Sequence, residues 1–173
     1  MELVPATDGD LEAVAALVNS AYRGESSRRG WTTEADYLDG QRTDVEALRA
    51  DLAEKPGSVM LLLREADDQP PLACVWLQPV KDDAWYLGML TVRPDLQNRQ
   101  IGRRVLADAE AYAKKHGADR MRMHVVHIRD TLISWYGRRG YALTGETRPF
   151  PFDNRFGIAR RDDLSFVVLE KRL

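Results

Sequence analysis

Leu90-Thr91-Val92-Arg93-Pro94-Asp95-Leu96-Gln97-Asn98-Arg99-Gln100-Ile101-Gly102-Arg103 decides how the rest of the chain is read. An apolar strand runs into Pro94, which cannot continue a hydrogen-bonded ladder. A tight polar loop follows, from Asp95 to Arg99. A helix then starts with a glycine in its first turn. Ile101, Val105, Ala109, Tyr112 and Ala113 fall on one face of it, and Gly117 ends it. The first amides of a helix have no partner inside the helix and carry partial positive charge, so they form an anion site. Gly102 lets a ligand come close to the backbone. Arg99, Arg103 and Arg104 add positive charge at the same place. The phosphate loop of nucleotide hydrolases does not fit, because no Gly-Lys-Ser/Thr is present.

Three apolar runs surround this segment on its N-terminal side: Ser58 to Arg64, Leu72 to Pro79 and Ala84 to Val92. Short polar turns join them, so an antiparallel meander is expected. Before them, Glu2 to Ala6 reads as a strand. Thr7 and Asp10 open a helix marked by Leu11, Val14, Ala15, Val18 and Tyr22. A capping pattern at Thr43 and Glu46 starts a second helix through Val45, Leu48 and Leu52, stopped by Lys55-Pro56-Gly57. After the central helix, Met121 to Ile128 reads as a strand. Asp130 is expected to cap a short helix ending at Gly140. Tyr141 to Gly145 and Leu164 to Glu170 are the last two strands. The order is a mixed α/β chain, β-α-α-β-β-β-α-β-α-β-β, expected to form one domain over residues 1–173. Two polar and aromatic segments break the periodicity, Arg23 to Gln41 and Arg148 to Asp163. The length of the second favours function over mere connection.

Composition narrows the classes. The chain has 173 residues, 44% hydrophobic and 30% charged, which suits a globular protein with a real core. A net charge of −2 argues against a nucleic-acid binder. The single cysteine, Cys74, sits in an apolar run and can make no internal disulfide. No signal peptide and no membrane-length apolar run is evident, so a cytoplasmic protein without a membrane partner is expected. His124 and His127 are three apart in a strand and face opposite sides, which disfavours a metal site.

The stretch from Gln97 to Gly102 resembles the acetyl-CoA motif of GNAT acetyltransferases, Gln/Arg-x-x-Gly-x-Gly/Ala. Gln97 and Gly102 match its first and last fixed positions, and Gln100 stands where the middle glycine belongs. A second block, Asp130 to Tyr141, resembles that family's later helix, with its aromatic-Tyr-x-x-x-Gly-Tyr ending. The resemblance implies a mixed, mostly antiparallel sheet of about seven strands and about four helices, with two central strands splayed apart. It implies acetyl-CoA, or another acyl-CoA, held by Leu90, Thr91, Val92, Gln97, Asn98, Arg99, Gln100, Ile101, Gly102, Arg103, Arg129, Leu132, Tyr136 and Arg139. Arg129 stands where many relatives carry an asparagine, and Arg139 would either reach phosphate or remain a solvated charge. The Leu90 amide would polarise the thioester carbonyl, and Tyr136 would act as general acid.

Amide formation also requires a neutral amine. Glu34 is the first candidate base, with water relayed to a main-chain carbonyl as the alternative. Arg23, Glu25, Arg29, Trp31, Phe150 and Phe152 are the expected acceptor pocket, though Trp31 and the phenylalanines could instead anchor their loops. The function implied is N-acetylation of a primary amine on a small molecule. The alternatives are a peptide N-terminal acetyltransferase, or a non-catalytic acyl-CoA-binding module. A homodimer is compatible with the resemblance.

Overall fold

The computed structural model describes residues 1–173. In chain order its elements are β1 (Leu3–Pro5), α1 (Leu11–Tyr22), β2 (Leu38–Asp39), α2 (Val45–Glu54), β3 (Val59–Leu63), β4 (Ala73–Pro79) and β5 (Ala84–Val92). Then come α3 (Ile101–Lys115), β6 (Arg120–Val126), α4 (Asp130–Gly137), β7 (Ala142–Pro149), β8 (Ile158–Ala159) and β9 (Ser165–Arg172). Seven strands form one sheet in the order β1-β3-β4-β5-β6-β9-β7. The expected meander is present, since β3, β4 and β5 pair antiparallel. Only β5 and β6 run parallel.

The two-residue period of the strands divides the core. Leu61, Leu63, Val75 and Leu77 pack with Val105, Leu106 and Ala109 of α3 on one face. Met60, Leu62, Cys74 and Trp76 pack with Val14, Val18 and Leu48 of α1 and α2 on the other. Burial pushes the Cys74 thiol up to about 12, which leaves it an inert packing group.

Four local expectations change. α2 is capped by Asp44, whose carboxylate accepts from the Ala47 amide at 2.8 Å, and not by Thr43. Asp130 is the first residue of α4 rather than its cap. β7 runs on to Pro149, four residues beyond Gly145. The two long segments are not free loops: β2 lies in the first, β8 in the second, and they pair antiparallel as a separate ribbon. Beneath that ribbon Tyr37, Leu38, Val126, Phe150 and Leu164 form a third apolar cluster.

Thr7 and Asp10 tie the entry to α1. The Asp10 carboxylate accepts from the Thr7 amide at 2.7 Å, the Thr7 hydroxyl at 2.8 Å and Arg64 at 2.8 Å. These contacts hold the carboxyl below its ordinary value, the Thr7 main-chain amide contributing most. Asp10→Asn is expected to cost about 1 kcal/mol by denaturant titration at neutral pH. The folded pKa is depressed, so this contribution is present above the ordinary carboxyl value. It fades as pH falls through the depressed one, and wild type and variant should converge in acid.

Candidate functional site

β5 and β6 pair only from Ala84 to Tyr86 against Arg120 to Arg122. Beyond that point β5 stays with β4 up to Val92, and β6 stays with β9 up to Val126. The two strands therefore open into a wedge. A bulge helps to turn β5: the β4–β5 register shifts between Cys74 and Trp76, and Met89 sits at φ 46°. The Thr91 hydroxyl donates to the Met89 carbonyl at 3.0 Å, and the Tyr22 hydroxyl to the Leu90 carbonyl at 2.5 Å.

On one side of the wedge lies a cleft of about 420 Å³ between the β5–α3 loop and α4. The N-terminus of α3 forms its floor. This end has no capping side chain and no acidic residue in its first turn. Arg103 stands there instead, on the cleft wall. A 15-residue helix whose positive end carries more positive charge lacks the anion that its dipole favours. Arg104 turns away, bonded to the Met1 carbonyl and 3.5 Å from Asp108.

Asn98 and Gln100 both adopt left-handed backbone, at φ 68° and 63°. This is the conformation that suits the glycine of the motif, and Gln100 adopts it with its side chain exposed. A non-glycine residue there costs roughly 1–2 kcal/mol, partly offset by the roughly 0.5–1 kcal/mol entropy that glycine loses on folding. Gln100→Gly is therefore expected to stabilise the protein by up to about 1 kcal/mol, read as a higher denaturation midpoint at unchanged slope.

Gln97 acts through its side chain. Its Oε1 accepts from the Trp31 amide at 2.8 Å, and its Nε2 donates to the Thr32 hydroxyl at 2.9 Å and the Val92 carbonyl at 3.1 Å. It thus fastens the segment after α1 to the end of β5. The fit is close, since a Cβ on Gly30 would stand 2.3 Å from Gln97 Oε1.

Tyr136 enters the cleft from the end of α4, buried beside Trp135 and Tyr141. Its hydroxyl has no hydrogen-bond partner within the protein. Burial, and then the neighbouring Tyr22, push its phenol well above the ordinary value, so it stays protonated. Arg139 stacks on Trp135 at 3.6 Å and donates to the Trp135 carbonyl, while its buried Nε has no partner.

Across the wedge is a smaller chamber of about 150 Å³. Tyr22, Leu90, Leu132 and Tyr136 border both spaces, so the gap between the strands joins them. Glu34 is in the chamber wall, 8% exposed. Its carboxylate lies 3.3 Å from Arg23, 3.5 Å from Arg129 and 3.3 Å from the Tyr37 hydroxyl. Arg129 also donates to the Thr32 carbonyl at 2.7 Å. Burial opposes the charge on Arg129, but Glu34 and the nearby tyrosines outweigh it and hold its pKa above the ordinary value.

Most residues expected around the cofactor line the cleft: Leu90, Val92, Gln97, Asn98, Gln100, Gly102, Arg103, Leu132, Tyr136 and Arg139. Four do not. Thr91 is buried toward Met89, Ile101 packs on the core, Arg99 is exposed, and Arg129 belongs to the chamber. The expected acceptor residues divide more sharply. Arg23 and Phe150 line the chamber, but Trp31 lies on the cleft side, 6.1 Å from Trp135. Glu25 is exposed and paired with Arg28, Arg29 is exposed, and Phe152 is 51% exposed on the outer side of Phe150.

Tyr22, Arg42, Tyr86, His124 and Phe166 line the chamber without having been singled out for it. Tyr22 is marked in the sequence only as the last apolar position of α1, and His124 only as a disfavoured metal ligand. The ring of His124 lies against Tyr86 and Phe166, while His127 accepts from the Ser165 amide at 3.2 Å.

Many solved structures share this architecture, and three of them illustrate it. A ribosomal-protein-alanine N-acetyltransferase from Brucella melitensis superposes with TM-score 0.70 at 19% identity, over 100% of both chains. A GNAT acetyltransferase from Elizabethkingia anophelis with acetyl-CoA bound gives 0.60 at 18%, over 74% of this chain and 82% of that one. Nourseothricin acetyltransferase gives 0.56 at 19%, and the match spans 68% of this chain and 66% of that one. At such identities the likeness is one of fold. No curated protein matches the sequence. The family model described as acetyltransferase (GNAT) family matches residues 13–141, and with the wedge, the uncapped helix and Tyr136 in one cleft, the chain belongs to the GNAT acetyltransferase family.

Proposed function

We propose that this acetyltransferase moves an acetyl group from acetyl-CoA to the primary amine of a small molecule, with residues 1–173 acting as one unit. The observation that carries it is the pair of spaces meeting at the wedge, one floored by an uncapped helix and the other walled by side chains.

The cleft residues fit a diphosphate-bearing thioester. A Cβ on Gly102 would meet Val92 and Trp135 only at ordinary contact, 3.5 and 3.6 Å, so packing does not demand glycine there. An approaching ligand does. The free amides at the start of α3, with Arg103 and the unpartnered Nε of Arg139, would hold the diphosphate. The arm would lie along Leu90 to Val92, where β5 has left β6. When bound, the cofactor supplies an acyl carbon already activated at a thioester. The Leu90 amide would polarise the acyl oxygen. Tyr136 would hold its proton at the hydroxyl, ready for the departing sulfur.

Glu34, the candidate base, is occupied by Arg23, Arg129 and Tyr37. We assign it to holding the chamber wall, and the amine's proton to water. The ribbon of β2 and β8 and the phenylalanines beneath it close the chamber, which favours a small acceptor over an extended peptide. The test is acetyl-CoA-dependent thiol release against a panel of small amines and alanine-led peptides. Release with small amines, peptides lagging, is expected. Cofactor binding with no release against any amine would make the protein a non-catalytic module instead.

A further inference from the structure

The chamber wall is unevenly charged. Arg23, Arg42 and Arg129 line it, and the one carboxylate among the lining residues is Glu34. Glu34 is taken up by Arg23 Nη2 and by Arg129, whose other terminal nitrogen goes to the Thr32 carbonyl. Two guanidiniums are left incompletely matched. Arg23 is 5% exposed, and its Nε and Nη1 are buried with no hydrogen-bond partner. Arg42 is half-buried with its Cζ 4.3 Å above the ring of Phe156, and it pairs with no carboxylate of the protein. Its backbone is fixed, because Asn19 Oδ1 accepts from the Arg42 amide at 2.7 Å and from the Thr43 amide at 3.2 Å.

Burying donors of a charged group without acceptors is costly. Burial, and secondarily the proximity of Arg42, hold Arg23 below its ordinary pKa, while Glu34 only partly compensates. His124 does not relieve the imbalance. Burial and the nearby Arg148 and Arg122 lower its pKa, against a smaller opposing effect of Glu146, so it stays neutral. The wall therefore carries three guanidiniums against one carboxylate, with two buried nitrogens of Arg23 unpartnered.

Resting on the acetyl-transfer reading above, we propose that the acceptor carries an oxyanion beside its amine, and that Arg42 and Arg23 bind that group. The substrate class is then the small amino acids. The volume agrees, since about 150 Å³ suits a compact molecule of a few heavy atoms rather than a chain. With the oxyanion at the arginines, the amine faces the wedge between Leu90 and Tyr136. The new bond joins the amine nitrogen to the acyl carbon, and the carbon–sulfur bond breaks. The sulfur takes one proton and the amine loses one, giving an N-acetyl amino acid and free thiol.

The test compares proteinogenic L-amino acids with their carboxamides, acetyl-CoA held constant, by thiol release. The acids should exceed the amides in kcat/KM by at least about 30-fold for the best acceptors, the scale of a hydrogen-bonded charge contact. Arg42→Gln should shrink that ratio at least about tenfold, through KM, with acetyl-CoA affinity unchanged by calorimetry. Amides used as well as acids would overturn the proposal. So would a ratio indifferent to Arg42→Gln, or no turnover of any acid by protein that binds acetyl-CoA. That last result leaves the cofactor reading standing. Failure to bind acetyl-CoA removes that reading, and this inference with it.

Discussion

Tyr136→Phe is expected to lower turnover about 10²-fold, as loss of a positioned proton donor does, while acetyl-CoA binding persists. The residue allows a clean test. Its ring packs with Trp135 and Tyr141, and phenylalanine keeps those contacts. Its hydroxyl bonds to nothing in the protein, so removing it should change stability little. Burial holds the phenol protonated well past its ordinary pKa near 10. Activity should accordingly show no alkaline decline through the ordinary phenol range on account of this group. Single-turnover measurement separates the chemical step from release. A variant as fast as wild type in that step would remove Tyr136 from the role proposed for it.

Gly102→Val should weaken acetyl-CoA binding at least about 100-fold, the scale of losing one or two hydrogen bonds to a charged group. The free protein should stay folded, because the first side-chain carbon finds only ordinary contacts at Val92 and Trp135. The two further methyls then occupy the gap between strand and helix that the cofactor needs. The unliganded melting temperature should move little, since valine replaces glycine inside a helix, and the shift given by saturating acetyl-CoA should disappear. A variant that keeps the ligand-induced shift would mean that the cofactor passes elsewhere.

The parts of this candidate site are legible in the sequence to different degrees, for physical reasons. The β5–α3 stretch carries local signals. An apolar run stopped by Pro94 and a helical period opening on Gly102 need no knowledge of the rest of the chain. Tyr136 was legible through the aromatic-Tyr-x-x-x-Gly pattern that places it at the end of α4.

What escaped depends on pairing across the chain. Met89 looks like an ordinary strand residue, yet it sits in a left-handed bulge because β5 has to leave β6. Leu38–Asp39 and Ile158–Ala159 are too short to show a strand period, and each is a strand only because the other is present. Glu34 looked like a free carboxylate in a polar loop. Folding brings Arg129 to it from 95 positions away, a pairing no local pattern encodes. Trp31 stands on the cleft side and not in the chamber for the same reason, since its amide is held by Gln97. No local pattern marks Arg42, because its significance is the absence of a partner, which only a folded chain can reveal.

Calorimetric titration with CoA alongside pantetheine, which lacks the diphosphate, tests most directly whether the start of α3 grips that group. One CoA should bind per chain with an affinity at least about 100-fold above that of pantetheine, in keeping with charged hydrogen bonds at a helix N-terminus. Equal affinities, or no heat with CoA, would contradict it.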